Sequence, residues 1–565
     1  MKSKIFVYLI ICSLLVVTGC ESDKEFLTEK PRTFFTLENA FSTPAQVDAV
    51  LISCYRLTRQ NQVISSNTSR ILNGLGTDVL DVPELRIGTT FSDYARLNPT
   101  HGDYNTIFNK YYDIISKANT ALYAAELENI AWGSDQEKNY AIAQAKFFRG
   151  YAYRSLGMLF GGVPIVDAII TYPKLDFVRS STIETYQFAI DDLESSVQYL
   201  PEKSTQPGRI VKGAAQHFLV ELYIAMGIEA EEEGKSGESM YDKALQIANQ
   251  LIDGGTYSLM TERFGTRKDQ VSNWSGTADV YWDLFQEGNV NYQDGNKESI
   301  WAYQIDFTAY LSEDSQSKIE YPRDYVPLLR LVEGMTGEGD DVGGRGVCFA
   351  APTMHVRDGV WEGKYNKDNR NAEHNIWRNF KYNDPTHPKF GEPYPWSEYY
   401  KTDYNRSMVY PIHAKVTTDP GTWTGLQQGE NRSNLFRDEY AVRLAETILL
   451  RAEIYYRKGQ LQNAANDINL IRSRAKAEYM VTAVDVNLDL ILDERIRELY
   501  IEEDRWHTLL RMRGTVAVDR IRKYAFWPFT RTSLTWDFNK WPIPQGAIDR
   551  NIDAVLEQNP GWTQF

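Results

Sequence analysis

Cysteine is scarce in this 565-residue chain: Cys12, Cys20, Cys54 and Cys348 are all there is, with no Cys-X-X-Cys pair. That excludes a disulfide framework and a cysteine zinc site. The seven histidines are scattered, and none has the His-Glu-X-X-His spacing of a zinc hydrolase. Neither a Gly-X-Ser-X-Gly elbow nor a Gly-X-Gly-X-X-Gly fingerprint occurs. Gly234-Lys235-Ser236 is not a phosphate loop, because Gly227 lies two positions too far upstream and no strand leads in. Basic charge is also short. Lys and Arg number 61 against 76 Asp and Glu, a formal net charge of −15, so nucleic acid is excluded as a partner for want of clustered cations. No apolar run is long enough for a comfortable transmembrane helix.

What is abundant is aromatic: 13 Trp, 35 Tyr and 24 Phe. Many of these rings sit in polar, loop-like stretches, which a core alone does not require.

Residues 1–19 have the three parts of an export signal: Lys2 and Lys4, an apolar run from Ile5 to Val17, then small residues. Val17-Thr18-Gly19-Cys20 resembles the lipobox of bacterial lipoproteins. The resemblance implies acylation at Cys20 and cleavage after Gly19; with several acyl chains, each buried methylene worth about 0.8 kcal/mol, the anchor would be firm. Residues 20–40 read as a lipidated tether. Its acidic start, Glu21, Asp23 and Glu25 around Lys24, resembles the surface-export signal of Bacteroidetes lipoproteins and equally suits a solvated linker.

The remainder, 41–565, reads as one mostly α domain. Thr43, Pro44 and Gln46 predict a capped helix start, with Val47, Val50, Leu51, Cys54 and Tyr55 on one face. Further helices are expected over 105–128, 135–160 and 182–200, the last opened by a Ser181/Glu184 capping box and closed by Pro201. Helical spacing continues over 212–229, 240–253, 438–458, 461–475 and 488–512. Residues 64–103 read as loops. Residues 256–435 carry Gly, Pro, Asn, Asp, Trp and Tyr without period, apart from strand-like pieces such as Ser299 to Ile305. An aperiodic region of that length inside a helical frame is usually functional when it is rich in aromatics. The expected architecture is therefore a helical frame, about 41–255 and 438–512, carrying a loop-rich insertion, about 256–435.

Two of the helical pairs have tetratricopeptide spacing. Ala452, Tyr455, Gly459, Ala464 and Ile468 match it in order, and the pair 215–252 keeps Tyr223, Ala244 and Ala248. Other motifs accumulate along the chain: Phe26-Leu27 with Pro31, and Ala145 to Tyr153 followed by Gly161-Gly162-Val163-Pro164. Then come Leu444-Ala445-Glu446, Asn469 with Ile471 to Ala475, Asp493-Glu494-Arg495, Pro542-Ile543-Pro544 and Gln558 to Trp562. In this joint order, behind a lipobox, they resemble the SusD/RagB family, lipoproteins that work with TonB-dependent outer-membrane transporters. One departure is Phe108, where the family often has Trp.

The resemblance implies a SusD-like fold and a non-enzymatic protein without cofactor or metal. It would lie lipid-anchored on the exterior of the outer membrane and capture oligosaccharide for a SusC-like TonB-dependent transporter, with its repeat helices facing that partner. A peptide-capturing RagB-like member is the alternative within the family; a surface glycoside hydrolase and a purely structural repeat adaptor are alternatives outside it. The candidate ligand surface is the aromatic set of the insertion, Trp274, Trp282, Tyr292 and Trp361, with Tyr281, Trp377, Trp396, Tyr399, Tyr400 and Trp423 in the same stretch. Flat rings suit the apolar faces of pyranoses. The resemblance adds the loop before the second helix, here with Asn73, Asp78, Arg86 and Tyr94. Glu494, Arg495, Arg497, Glu498, Glu502 and Arg505 are read as a ladder of helix-surface ion pairs worth about 0.2–0.5 kcal/mol each, not as an acid/base pair. The acidic run Glu338 to Asp341 is read as a solvated loop without EF-hand order.

Overall fold

The structure, a computed structural model, describes residues 40–563 apart from 65, 89, 313–315, 396, 398–400, 423–431 and 535–537. The leader, Cys20, the tether up to residue 39, and the rings of Trp396, Tyr399, Tyr400 and Trp423 lie outside the described residues.

The fold is mostly α, as read. Helix α1 is Pro44–Arg59, α2 Gly102–Ala125, α3 Asp135–Phe160, α4 Thr182–Tyr199, α5 Lys212–Glu232 and α6 Glu238–Asp253. Later in the chain come α7 Leu444–Arg457, α8 Leu461–Arg474, α9 Leu488–Leu499, α10 Arg505–Arg511 and α11 Val516–Tyr524. Helix starts follow their caps. Gln46 Oε1 accepts from the Ser42 and Thr43 amides at 2.7 and 3.1 Å, and Ser181 and Glu184 exchange bonds of 3.1 and 2.7 Å.

Helix α3 is the centre. From Ala143 to Phe160 nearly every residue is buried, on all faces, the condition of a helix surrounded by others; α2, α4 and α5 pack on it. Gly157 is there for proximity: a Cβ would come within 2.5 Å of the Tyr186 ring on α4. Hairpins α5–α6 and α7–α8 lie side by side through α6 and α7. Arg451 on α7 joins them, bonding Asp467 of α8 at 2.8 Å and Asn249 and Asp253 of α6 at 3.0 Å. The α7–α8 turn is made at Gly459, whose φ is +70°.

Between α6 and α7 the described residues form only short helices, turns and paired strand fragments. Strand β1 (Leu80–Asp81) pairs with β3 (Ala351–Pro352), β2 (Ser299–Tyr303) with β6 (Glu439–Arg443), and β4 (Ile376–Trp377) with β5 (Ile412–His413), all antiparallel.

Two helix expectations need correction. Residues 439–443 are strand β6, not the first turn of α7: their partner β2 supplies the ladder, and no local period announces it. The helix expected over 488–512 breaks between α9 and α10. Ile501 adopts φ +70°, its carbonyl accepts from Asn73 Nδ2 at 2.5 Å, and Glu502 and Glu503 turn away toward cations on other elements.

The ladder also takes another form. Only Arg497–Glu494 is a pair along one helix (2.8 Å). The others are buried and join distant segments: Glu494 with Arg370 (2.7 Å) and Arg472 (3.0 Å), Glu498 with Arg370 (3.1 Å), Arg443 (2.6 Å) and Arg474, and Glu502 with Lys415 and Arg443 (2.5 Å each). Glu298 closes the set through Arg443 (2.6 Å) and Arg474 (2.9 Å). Arg370, Lys415 and Glu298 come from the middle of the chain and their partners from the later helices and β6. The network therefore rivets the loop-rich middle to the helices. Burial pushes the Glu494 carboxyl up, but Arg370, Arg497 and Arg472 outweigh it and bring it down to about 2.

Candidate functional site

Most of the expected ligand contacts are structural. Trp282 is fully buried, its amide capped by Asp279 at 2.8 Å and its ring overlaid by Arg267 at 4.6 Å. Trp361 is 6 % exposed, on a turn held by Arg497 Nε on the Val360 carbonyl (2.8 Å). Tyr281 is buried and bonds the Glu498 carbonyl at 2.9 Å. In the loop before α2, Asp78 is fully buried between Arg505 (2.6 Å) and Arg520 (2.9 Å). Those guanidiniums overcome the burial penalty and hold its carboxyl well below the ordinary range. Asn73 is spent on Ile501. Tyr94 is buried, donating to the Gly76 carbonyl with its ring 4.9 Å from Phe538. Side chains buried this deeply do not meet a ligand from solvent. Asn73, Asp78, Tyr94, Trp282 and Trp361 are thus corrected to core positions, and the eight candidates form no single surface.

Three keep solvent access. Tyr292 is half-buried, its hydroxyl on the Thr256 carbonyl (3.2 Å) and its ring 4.2 Å from Lys297 Nζ and 5.4 Å from Lys203 Nζ. Burial acts to raise its pKa, but the two lysines prevail and lower it. Arg86 is half-buried over Phe349. Trp274 is half-buried and stacks in parallel on Trp377, ring centres 4.9 Å apart and planes 5° from parallel.

The Trp274 stack is built rather than incidental. Trp377 is set by the β4–β5 pairing and by Phe380, whose ring stands edge-on at 4.6 Å. Trp274 is set by the turn beneath it, where Asp419 accepts from Ser272 Oγ (2.6 Å) and the Asn273 amide (3.0 Å). Asn273, beside it, is exposed and reaches the Pro420 carbonyl at 2.5 Å. Tyr394, half-buried, bonds the Phe380 carbonyl through its amide (2.9 Å) and lies 5.1 Å from Tyr382. Trp377, Phe380 and Tyr382 are buried, so Trp274 and Tyr394 are the rings of this group with solvent access, and flat rings beside amides suit a carbohydrate.

Sequence reasoning also missed a cavity of about 450 Å³ between α2, the extended chain after Pro164 and the C-terminal residues, lined mainly by Phe108, Tyr112, Ile115, Ile169, Leu175 and Leu556. Apolar positions on a helix and an irregular segment read as core, so nothing local marks such a groove.

The sequence profile of the SusD family matches residues 297–562, and a second family profile, described as starch-binding and associating with the outer membrane, matches residues 25–224. The chain belongs to the SusD family. A SusD-like protein P2 of Formosa agariphila is 25 % identical over 98 % of both chains. Among solved structures, a SusD homologue from Bacteroides thetaiotaomicron superposes with TM-score 0.69 at 18 % identity, covering 93 % of this chain and 98 % of that one. Surface glycan-binding protein A of the same organism, in complex with laminarihexaose, superposes with TM-score 0.66 at 19 % identity, covering 92 % and 99 %. These likenesses establish the SusD fold; the family's description associates it with the outer membrane.

Proposed function

We propose that this SusD-family protein is a cell-surface lipoprotein that captures oligosaccharide without transforming it and passes it to a SusC-like TonB-dependent transporter. In this reading residues 1–19 are removed and Cys20 is acylated. The helical frame, about 41–255 and 438–512, holds the body beside the transporter, and the insertion, about 256–435, presents the ligand surface. The observation that carries the reading is the Trp274–Trp377 stack: a half-buried indole held rigidly on a buried one, in a family one of whose profiles is described as starch-binding. The solved complex with laminarihexaose supports a glycan as ligand. Capture without chemistry is supported by the carboxylates. Glu494 and Glu498, two carboxylates of the helix on which an acid/base pair would stand, are fully buried and ion-paired.

The test is calorimetric titration of the purified protein with a panel of oligosaccharides and peptides, alongside the Trp274→Ala variant. Saccharide binding that weakens about tenfold or more on removal of the stacking ring is expected. Binding of peptides alone moves the protein to the peptide-capturing branch of the family, and release of shortened saccharide overturns capture without chemistry.

A further inference from the structure

The protein carries an excess of 15 negative charges, yet one surface is crowded with arginine. Three guanidinium carbons lie within 5.0 Å of the Phe349 ring centre: Arg86 at 3.8 Å, Arg70 at 4.3 Å and Arg323 at 5.0 Å. Two more arginines adjoin them. Arg330 bonds the Gly346 carbonyl at 2.7 Å. Arg345 stands two residues before Val347, whose amide bonds the Arg323 carbonyl at 2.9 Å. These residues come from two distant parts of the sequence, 70–86 and 323–349, so the cluster exists only in the folded chain.

Counter-charge is short. Arg70 has Asp324 (2.8 Å), Arg323 has Glu320 (2.8 Å), which Lys318 also claims at 3.1 Å, and the half-exposed Arg345 has only a loose contact with Glu338 (3.4 Å). Arg86 has none: among the described residues its guanidinium makes no ion pair and its buried Nε has no acceptor, although Glu84 stands two residues away. Burial first, and then Arg70 and Arg323 as neighbours, lowers the Arg86 pKa from the usual arginine value, against the opposing pull of Cys348 and Asp324. The contact with the Phe349 ring favours Arg86 in this place, but like charges beside it and an unsatisfied charged donor are costly. Such an arrangement is retained where an anion completes it. Planar guanidinium forks bind carboxylate and sulfate oxygens bidentately, and the partly open Phe349 ring beside them suits the sugar that carries the group.

We infer that the Arg86–Phe349 cluster is a subsite for the anionic substituents, sulfate ester or carboxylate, of a charged glycan. The inference rests on the glycan-capture reading and names the class of glycan.

The experiment uses the full chain purified in detergent and affinity electrophoresis at fixed ionic strength. Its probes are a sulfated galactan and its chemically desulfated form, polygalacturonate and its methyl ester, neutral laminarin, and poly-L-glutamate. The charged polysaccharides are expected to bind about tenfold or more tightly than their neutralised forms, with affinity falling as salt rises. Arg86→Ala should remove most of that difference, Arg345→Ala a smaller part, and Arg86→Lys should restore some of it, with thermal melting confirming folded variants. The sulfated and uronate arms separate the two substituents. Neutral glycans bound through Trp274 with no preference for charged ones would overturn this inference and leave the capture reading standing. Equal binding of poly-L-glutamate would overturn it as non-specific charge attraction. Failure to bind any glycan would overturn both.

Discussion

The helices before residue 254 and the chain between 254 and 438 are held by different means. Helices α1 to α6 carry local signals: capping boxes at α1 and α4, apolar residues at helical spacing, and small residues where neighbours approach. The middle region has short strands and single turns, without helices long enough to fix it by their own period. It is positioned by buried ion pairs and rings that reach residues a hundred or more positions away, as Arg370 reaches Glu498 and Tyr281 reaches the Glu498 carbonyl. The difference explains why the rings most conspicuous in the sequence, Trp282 and Trp361, are pins rather than contacts. A long irregular segment has to bury large side chains to stay in place, and only what is left over, such as Trp274, faces solvent.

The comparison can be broken most completely with acid. Glu494, Glu221 and Glu453 are each held near 2 because arginine neighbours outweigh their burial. Their folded values lie below the unfolded ones, so their stabilisation is present above about 4.5 and is lost as pH falls toward 2. Circular dichroism against pH should show cooperative unfolding in that window; a fold intact at pH 2 would contradict the assigned ion pairs. Arg443→Ala is the sharper cut. It takes one buried cation from Glu298, Glu498 and Glu502 together, leaving Arg474, Arg370 and Lys415 to hold three carboxylates, and breaking buried pairs of this kind costs about 3–5 kcal/mol. Urea denaturation should show that loss, and a change below about 1 kcal/mol would mean the network does not hold the middle region in place. Trp282→Ala should cost about 3–5 kcal/mol as a buried ring removed, whereas Trp274→Ala should barely move the melting temperature and act on ligand binding. Equal destabilisation by the two would erase the distinction between pin and contact. The smallest effect belongs to the helices: Ser181→Ala deletes one cap of α4 and should cost about 1 kcal/mol. A loss as large as that of Arg443→Ala would show that the helical half is no more locally secured than the rest.

How much was legible follows the same division. The starts of α1 and α4, the extent of α3 and the two hairpins could be read because a cap or a helical period lies within a few residues of what it specifies. Strand β6 could not, since its partner is at 299–303. The break at Ile501 depends on Asn73, more than 400 positions earlier. For the candidate site, Trp274 could be named as an aromatic in a loop, but nothing local separates it from Trp282, and burial alone assigned their roles. Arg86 was named for its region; its company of Arg70, Arg323 and Phe349 had no signal in the chain.

By itself the sequence determined what depends on near neighbours: a mostly helical body, its caps and hairpins, and membership of a family recognised by ordered short motifs. The tertiary structure alone decided which charges are buried, which rings remain at the surface, and where arginines gather without partners. Period and capping act over one or two turns, while burial and Coulomb contacts are set by whatever the folded chain brings within a few ångströms.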